Sequence, residues 1–179
     1  MDNMSLDEDK ISRGALETMS MLPPSPIALV VVGETVPDII TVGMVNLFSQ
    51  RPPIIGIGVT TARYSYKLLE ENDDFSVNFP TPEILSKVIC CGSVSGSRVN
   101  KFEKCGLTKV PSSRIKSPKI KECILNVECK KIDSLEKGDH VWFFGEIVHG
   151  DAPASYDQKL ALLHRDGLFW TIGQKLENP

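Results

Sequence analysis

The sequence predicts a mainly β domain with helical insertions, closed as a barrel. Three observations carry this. Short runs rich in β-branched residues outnumber helical stretches. The helical patterns gather between the third and fourth of these runs and after the fourth. No repeat, low-complexity tract or linker divides the 179 residues, and a chain of that length buries roughly 70% of its unfolded surface in one domain, without disulfides or metals. A barrel also removes the open edges that many short strands would leave exposed.

In chain order, residues 1–20 are polar and read as an arm, with a weak helical period near Ala15 to Met19; the domain is expected over 21–179. Pro23, Pro24 and Pro26 punctuate the entry to a buried strand from Ile27 to Gly33. Ile39 to Asn46 reads as a second strand and Pro53 to Val59 as a third, with Gln50-Arg51-Pro52-Pro53 turning between them. Gly56 and Gly58 lie inside the third, where glycine signals a bend or a close approach to the backbone. A helix follows, capped by Thr60 or Thr61, with Tyr64, Leu68 and Leu69 on one face. Asp74 to Phe79 is the fourth strand. Thr81-Pro82-Glu83 starts a helix that runs to about Cys91, because proline at the first helical position misses no donor. Ser97 is expected to cap a short helix from Arg98 to Lys104, stopped by Gly106. In the next strand Cys123, Leu125, Val127 and Cys129 alternate with Ile124, Asn126, Glu128 and Lys130, so most of the second set should face water. Lys137-Gly138-Asp139 turns into a strand from His140 to Gly150, and Leu160 to Trp170 reads as helix or loop and then a short strand.

Composition is ordinary for a globular protein, with 41% hydrophobic and 24% charged residues. A net charge of −3 argues against a general nucleic-acid binder, which needs a basic excess, but allows one local phosphate pocket. The five cysteines are odd in number and lack C-x-x-C or zinc-finger spacing, so free thiols in a reducing compartment and no structural metal are expected. Asp2, Asp7, Glu8 and Asp9 open the chain where a secretory signal would be basic and then apolar, and the run Ile27 to Val32 is too short to span a bilayer. A cytoplasmic protein with no membrane contact is the expectation.

Four segments concentrate groups able to carry chemistry. Thr60-Thr61-Ala62-Arg63-Tyr64-Ser65 lies where a strand gives way to a helix, and unpaired amides, hydroxyls and a guanidinium there suit an anion. Its plainer reading is a capped helix with a surface arginine. Ser95-Gly96-Ser97-Arg98-Val99-Asn100-Lys101-Phe102 adds cations on a turn and short helix, or is a solvated face. Thr41-Val42-Gly43-Met44-Val45-Asn46 is a strand end with a glycine, able to line a narrow slot for a flat ring, or a core strand with a bend. His140, Phe169 and Trp170 can hydrogen-bond to or stack on such a ring, whereas His149 and His164 read as structural. There is no G-x-S-x-G, H-E-x-x-H or P-loop, and Gly56-Ile57-Gly58 lacks the third glycine of a dinucleotide fingerprint.

Four ordered stretches carry a family resemblance: Ala28 to Gly33 with Ile40 to Asn46 and Pro52 to Ile57; Arg63-Tyr64-Ser65 with Asp74 to Pro80; Cys91-Gly92 through Ser95-Gly96 to Lys101-Phe102; and Asp139 to Ile147. Together they resemble the flavin reductase-like (flavoredoxin-like) family of FMN-binding split barrels, over about residues 22–172. The resemblance implies a six-stranded antiparallel split β-barrel and a homodimer with one FMN per chain near the subunit interface. It implies that Thr41, Val42, Gly43, Met44, Val45 and Asn46 meet the isoalloxazine and ribityl parts. Thr60, Thr61, Ala62, Arg63 and Ser65 would hold the phosphate, Lys101 and His140 would contact the flavin, and Phe169 or Trp170 would lie over it. No side-chain nucleophile is expected, since FMN would carry the redox chemistry. The electron donor would be NAD(P)H or a redox protein. Asn100 stands where active flavin reductases commonly carry an acid, and Gly167-Leu168-Phe169-Trp170 where they tend to end near Gly-Gly-Tyr. Those departures keep open a flavin carrier without NAD(P)H activity, and a binding barrel without flavin.

Overall fold

The computed structural model describes residues 10–173. In chain order it contains helix α1 (Ala15–Ser20), strands β1 (Ser25–Pro26), β2 (Ala28–Val32), β3 (Asp38–Val42), β4 (Val45–Gln50) and β5 (Pro53–Val59), helix α2 (Tyr64–Glu71) and strand β6 (Asp74–Phe79). Then come a 3-10 turn (Pro82–Ile84), helices α3 (Leu85–Ser93) and α4 (Lys101–Lys104), and strands β7 (Lys109–Val110), β8 (Lys119–Ile120), β9 (Leu125–Lys137) and β10 (His140–Asp151). A second 3-10 turn (Gln158–Leu160) and the hairpin β11 (Leu162–Arg165) and β12 (Leu168–Thr171) end the described chain.

The main sheet is antiparallel in the order β3-β2-β6-β9-β10-β5-β4. Its two edges are consecutive in the chain. The single segment from Asp38 to Gln50 pairs with β2 through its first half and with β5 through its second. Counted as one bent strand, it makes six strands around a barrel that is split at Gly43-Met44. There the Gly58 amide donates to the Met44 carbonyl at 2.8 Å, and the Ser25 hydroxyl to the Gly43 carbonyl at 3.2 Å. The expected second strand is thus two strands with the opening between them. Gly56 and Gly58 behave as expected: a Cβ on Gly56 would lie 2.4 Å from the Phe48 ring, and one on Gly58 3.0 Å from Met44.

All of β2 is buried because it is covered on both faces. Ala28, Val30 and Val32 point into the barrel with Ile57, Phe75 and Phe143. Leu29 and Val31 point outward under α3 and α4, against Ile39, Val88, Phe102 and Ile120. Burying a side chain such as Phe143 contributes about 1.5–3 kcal/mol.

Several local expectations are corrected. Helix α2 starts at an Arg63 N-cap with no side-chain cap, so neither Thr60 nor Thr61 closes it. The Thr81 hydroxyl is taken by Glu83 and caps nothing, and the helix after it runs to Ser93. Ser97 caps no helix; Asn100 caps α4 by accepting from the Phe102 amide at 3.1 Å. Gly106 does take the left-handed conformation, at φ +65°. The outer face of β9 is wet only in part: Lys130 is exposed as expected, but Asn126 and Glu128 are buried. The irregular segment from Ser112 to Ile120 lies over it, and its backbone donors need acceptors. Glu128 accepts from the amides of Ser113 and Arg114 and from Lys119 Nζ, and Asn126 donates to the Ile120 carbonyl. Leu160 ends the second 3-10 turn, and the short strand expected at Trp170 forms as β12, but the stretch before it is a further strand, β11, which pairs with both β12 and β1.

The cysteines are not all free. Cys90 and Cys105 form a disulfide across a separation of 15 residues, while Cys91, Cys123 and Cys129 are buried thiols. Closing a loop of that size stabilises the fold by about 3 kcal/mol. The helical period near Ala15 to Met19 does form α1, whereas Asp2, Asp7, Glu8 and Asp9 lie outside the described residues. Among the described residues no helix is long and apolar enough to cross a membrane.

Candidate functional site

The barrel opening leads into a groove of three adjoining cavities, of about 230, 250 and 410 Å³, all bordered by Thr41 and Arg63. Four pieces of chain meet there. Strand β3 supplies one wall and ends at Val42, just before Gly43. Strand β5 delivers Thr60, and a tight turn from the Arg63 amide to the Thr60 carbonyl (3.1 Å) aims the start of α2 at the same space. The end of α3 and the loop after it, from Gly92 to Gly96, form the facing wall. The Thr41 hydroxyl donates to the Val88 carbonyl at 3.0 Å, which ties strand to helix beneath the groove.

The groups suited to an anion are at the start of α2. Arg63 is exposed and its guanidinium has no hydrogen bond or ion pair among the described residues. With no side-chain cap on this helix, the first-turn amides of Tyr64 and Ser65 lack a capping acceptor. Both effects favour a negative group beside Arg63.

Ser65 and Lys101 turn away from that role and toward each other through Asp38, a residue the sequence did not flag. Asp38 and Lys101 are only 3% and 5% exposed. Asp38 Oδ2 accepts from the Ser65 hydroxyl at 2.5 Å, and Asp38 Oδ1 lies 3.4 Å from Lys101 Nζ. Lys101 also donates to the carbonyls of Ile39 (2.5 Å) and Cys91 (3.2 Å). One buried ion pair thus joins β3, α2, α3 and α4 at the floor of the groove. Gly96 closes over it, and a Cβ there would lie 2.0 Å from Asp38 Oδ1, so no side chain fits.

The cavity of about 250 Å³ is the slot at the barrel opening. Gly43, Met44, Gly58 and Thr60 line it, with His140 and His164 at its rim. His140 Nδ1 pairs with Asp139 at 2.7 Å, which holds the exposed Asp139 carboxyl below its ordinary range. His164, expected to be structural, lies over Gly43 and packs on Phe169 at 5.0 Å between ring centroids. Burial, aided by Arg165, pushes its pKa down, so the imidazole is neutral at pH 7. Only the chain reversal at Asp166-Gly167 brings this ring back to the site, and no short-range pattern marks it.

Of the remaining residues, Val42, Ala62 and Phe169 line the groove. Val45 faces the barrel core, and Asn46, Thr61 and Trp170 border none of these cavities. Cys91 borders the groove, but burial pushes its thiol up to about 11; burial likewise raises Cys129 to about 12. Neither is a thiolate at neutral pH. The carboxylates of Glu128 and Asp151 with His149 lie close enough to hold a metal ion, but the Lys119 ammonium bridges the two carboxylates.

Residues 20–172 match the model of the flavin reductase like domain. An uncharacterized protein of Archaeoglobus fulgidus is 39% identical over 137 residues, covering 75% of this chain and 77% of that one. The flavoredoxin of Methanosarcina acetivorans superposes with a TM-score of 0.84 at 30% identity, covering 96% of this chain and 95% of its own. An FMN-binding protein of Thermus thermophilus gives 0.82 at 21% identity, covering 96% and 99%, which speaks for the fold alone.

Proposed function

The chain belongs to the flavin reductase-like domain family, and on that premise we propose that it is an FMN-binding redox protein. The observation that carries this reading is the unpartnered Arg63 guanidinium beside the uncapped start of α2, at the point where the three cavities meet. A phosphate monoester fits that donor set. The backbone from Thr41 to Met44 and the side-chain-free Gly43 and Gly58 leave a slot for a flat ring. Bound FMN would supply the hydride or electron chemistry.

The chain's own residues position and enclose. Thr60, Ala62, Arg63 and the Ser65 amide hold the phosphate end. Arg63 offsets its charge, and Lys101 acts from below by fixing Asp38 and Ser65. Neutral His164 and Phe169 on the terminal hairpin shield the ring end from water, and His140 faces it from β10. The expected result is that Arg63→Ala weakens FMN binding by about 1.5–3 kcal/mol, the range for a hydrogen bond to a charged group. A fluorescence titration measures it, and unchanged affinity removes Arg63 from the phosphate site.

An electron donor completes the reading. NAD(P)H is one, and a redox-protein partner is the other. Asn100 favours the partner, because its side chain accepts from Phe102 and donates to Glu103, and so offers no acid at that position. Steady-state oxidation of NAD(P)H separates the two.

The active unit we propose is a homodimer. Met44, Leu47, Phe48 and Leu135 are 43%, 61%, 52% and 46% exposed. Phe48 packs edge-on against Trp142 and Phe144 at 5.4 and 4.9 Å, next to the slot that Met44 lines. An apolar face of this kind suits a second copy of the chain. Sedimentation at micromolar concentration should give a dimer, and a monomer would remove the second copy from the reading.

A further inference from the structure

The chain that forms the facing wall of the groove is tied at its two ends by one covalent bond. Cys90, in the last turn of α3, and Cys105, the residue that closes α4, are joined as a disulfide across 15 residues. Between them lie the wall residues Gly92 to Gly96 and also Lys101, whose ammonium meets Asp38 at the groove floor. Lys101 donates to the Cys91 carbonyl at 3.2 Å, and the Cys105 amide donates to the Lys101 carbonyl at 3.0 Å. Disulfide, wall and buried ion pair therefore belong to one closed ring of chain.

The wall depends on its tethers. Among the described residues, the stretch from Val94 to Val99 makes hydrogen bonds only within itself. The Arg98 and Val99 amides donate to the Ser95 carbonyl at 3.0 and 3.3 Å, and the Ser95 and Ser97 hydroxyls lie 2.9 Å apart. Helix α4, at one end, has four residues, too few to hold as a helix by itself.

The bond is also placed for exchange. Cys90 is half-buried, and Ile89, Lys104 and Gly106, which flank the pair in the chain, are exposed. Lys87 stands three residues before Cys90 and donates to the carbonyl of Gly106, next to Cys105. An ammonium at that place favours the thiolate that exchange requires. The remaining cysteines are unsuited to it: Cys91, Cys123 and Cys129 are buried, and burial pushes all three thiols up.

We propose that Cys90–Cys105 is a reversible redox site, which a dithiol reductant opens so that the groove wall loosens and flavin affinity falls. A thiolate of the dithiol attacks sulfur at Cys90, the less buried partner. The Cys90–Cys105 bond breaks, a mixed disulfide forms, and Cys105 leaves as a thiolate. The second thiolate of the dithiol then displaces Cys90, and the reductant departs as its own disulfide. Two electrons and two protons pass to the two cysteines. The inference rests on the flavin reading above and adds control of flavin occupancy to it. By linkage, bound flavin must oppose reduction by the same factor by which the disulfide favours flavin.

The test compares the full chain oxidised with the full chain reduced by dithiothreitol, the reagent being removed before each measurement. Iodoacetamide should add two labels to the folded, reduced chain, on Cys90 and Cys105, because the other three thiols are buried. The reduced chain should bind FMN about tenfold more weakly, as when a preformed wall must be ordered on binding. Reoxidation should restore the tighter value. Saturating FMN should in turn lower the midpoint potential of the disulfide by ~30 mV, the equivalent of tenfold for a two-electron couple. The double variant Cys90→Ser with Cys105→Ser should bind FMN as the reduced chain does and ignore dithiothreitol. No added label, equal FMN affinity in both states, or a reduced chain that is unfolded at the titration temperature each overturns the switch. The bond is then purely structural, and the flavin reading stands. FMN binding in neither state overturns the flavin reading and the switch with it.

Discussion

Asp38→Ala is expected to lower the unfolding free energy by about 3–5 kcal/mol, the cost of leaving one partner of a buried ion pair uncompensated. Lys101 would keep its two carbonyl acceptors, from Ile39 and Cys91, but lose the carboxylate it pairs with. Ser65 would lose the acceptor of its hydroxyl. Because these contacts join β3, α2, α3 and α4, the damage should spread to the groove. FMN affinity should fall too, although Asp38 need not touch the cofactor. A urea titration measures the stability, and a flavin titration on the folded fraction measures the groove. Asp38→Asn keeps the size and one acceptor, so its effect should be smaller in both. An Asp38→Ala protein with the parent midpoint would mean that Lys101 does not depend on this carboxylate.

The second large effect is expected at Glu128, which is fully buried on the outer face of β9. Burial alone would raise its carboxyl, but hydrogen bonds from Lys119 and the amides of Ser113 and Arg114 outweigh that and hold it below its ordinary range. Glu128→Ala strands three donors and should cost about 3–5 kcal/mol. The pH dependence follows from the sign of the shift. A carboxyl whose folded pKa is depressed contributes stability above its unfolded pKa and loses it as pH falls through the folded value. Asp151, held low mainly by its hydrogen bond from Lys119, loses its share in the same direction. Lys119 behaves oppositely: burial alone would lower it, but its bonds to Asp151 and Glu128 raise it. Its share is present below the ordinary lysine pKa and lost as pH rises through the raised one. Glu128→Gln should therefore flatten the acid limb of a stability-versus-pH curve, measured by thermal melts. An unaltered acid limb would place the acid sensitivity elsewhere.

These two carboxylates also mark where the sequence stops being legible. The strands β2, β5 and β6 and the turn at Gly138 follow from β-branched runs and glycine, because local patterns decide them. Glu128 does not, since period two aims it at water and only the irregular segment at Ser113 and Arg114 buries it. Asp38 likewise sits beside a proline in what reads as a strand entry. Its partner Lys101 is far along the chain, and no spacing rule connects them. The Cys90–Cys105 bond was hidden by Cys91, which competes for the same pattern yet points into the packed cluster beneath the helices. In the groove, Arg63 and Gly43 were visible because a helix start and a glycine at a strand end are local signals. His164 was invisible because a tertiary turn delivers it.

The most direct test of the flavin reading is a visible absorption spectrum of the purified chain, before and after mixing with FMN and removing free cofactor by gel filtration. The account predicts flavin bands near ~370 and ~450 nm, a property of the cofactor, that travel with the protein and weaken in Arg63→Ala. A folded protein that emerges colourless after mixing with FMN would contradict it, and would leave the barrel as a scaffold for some other ligand.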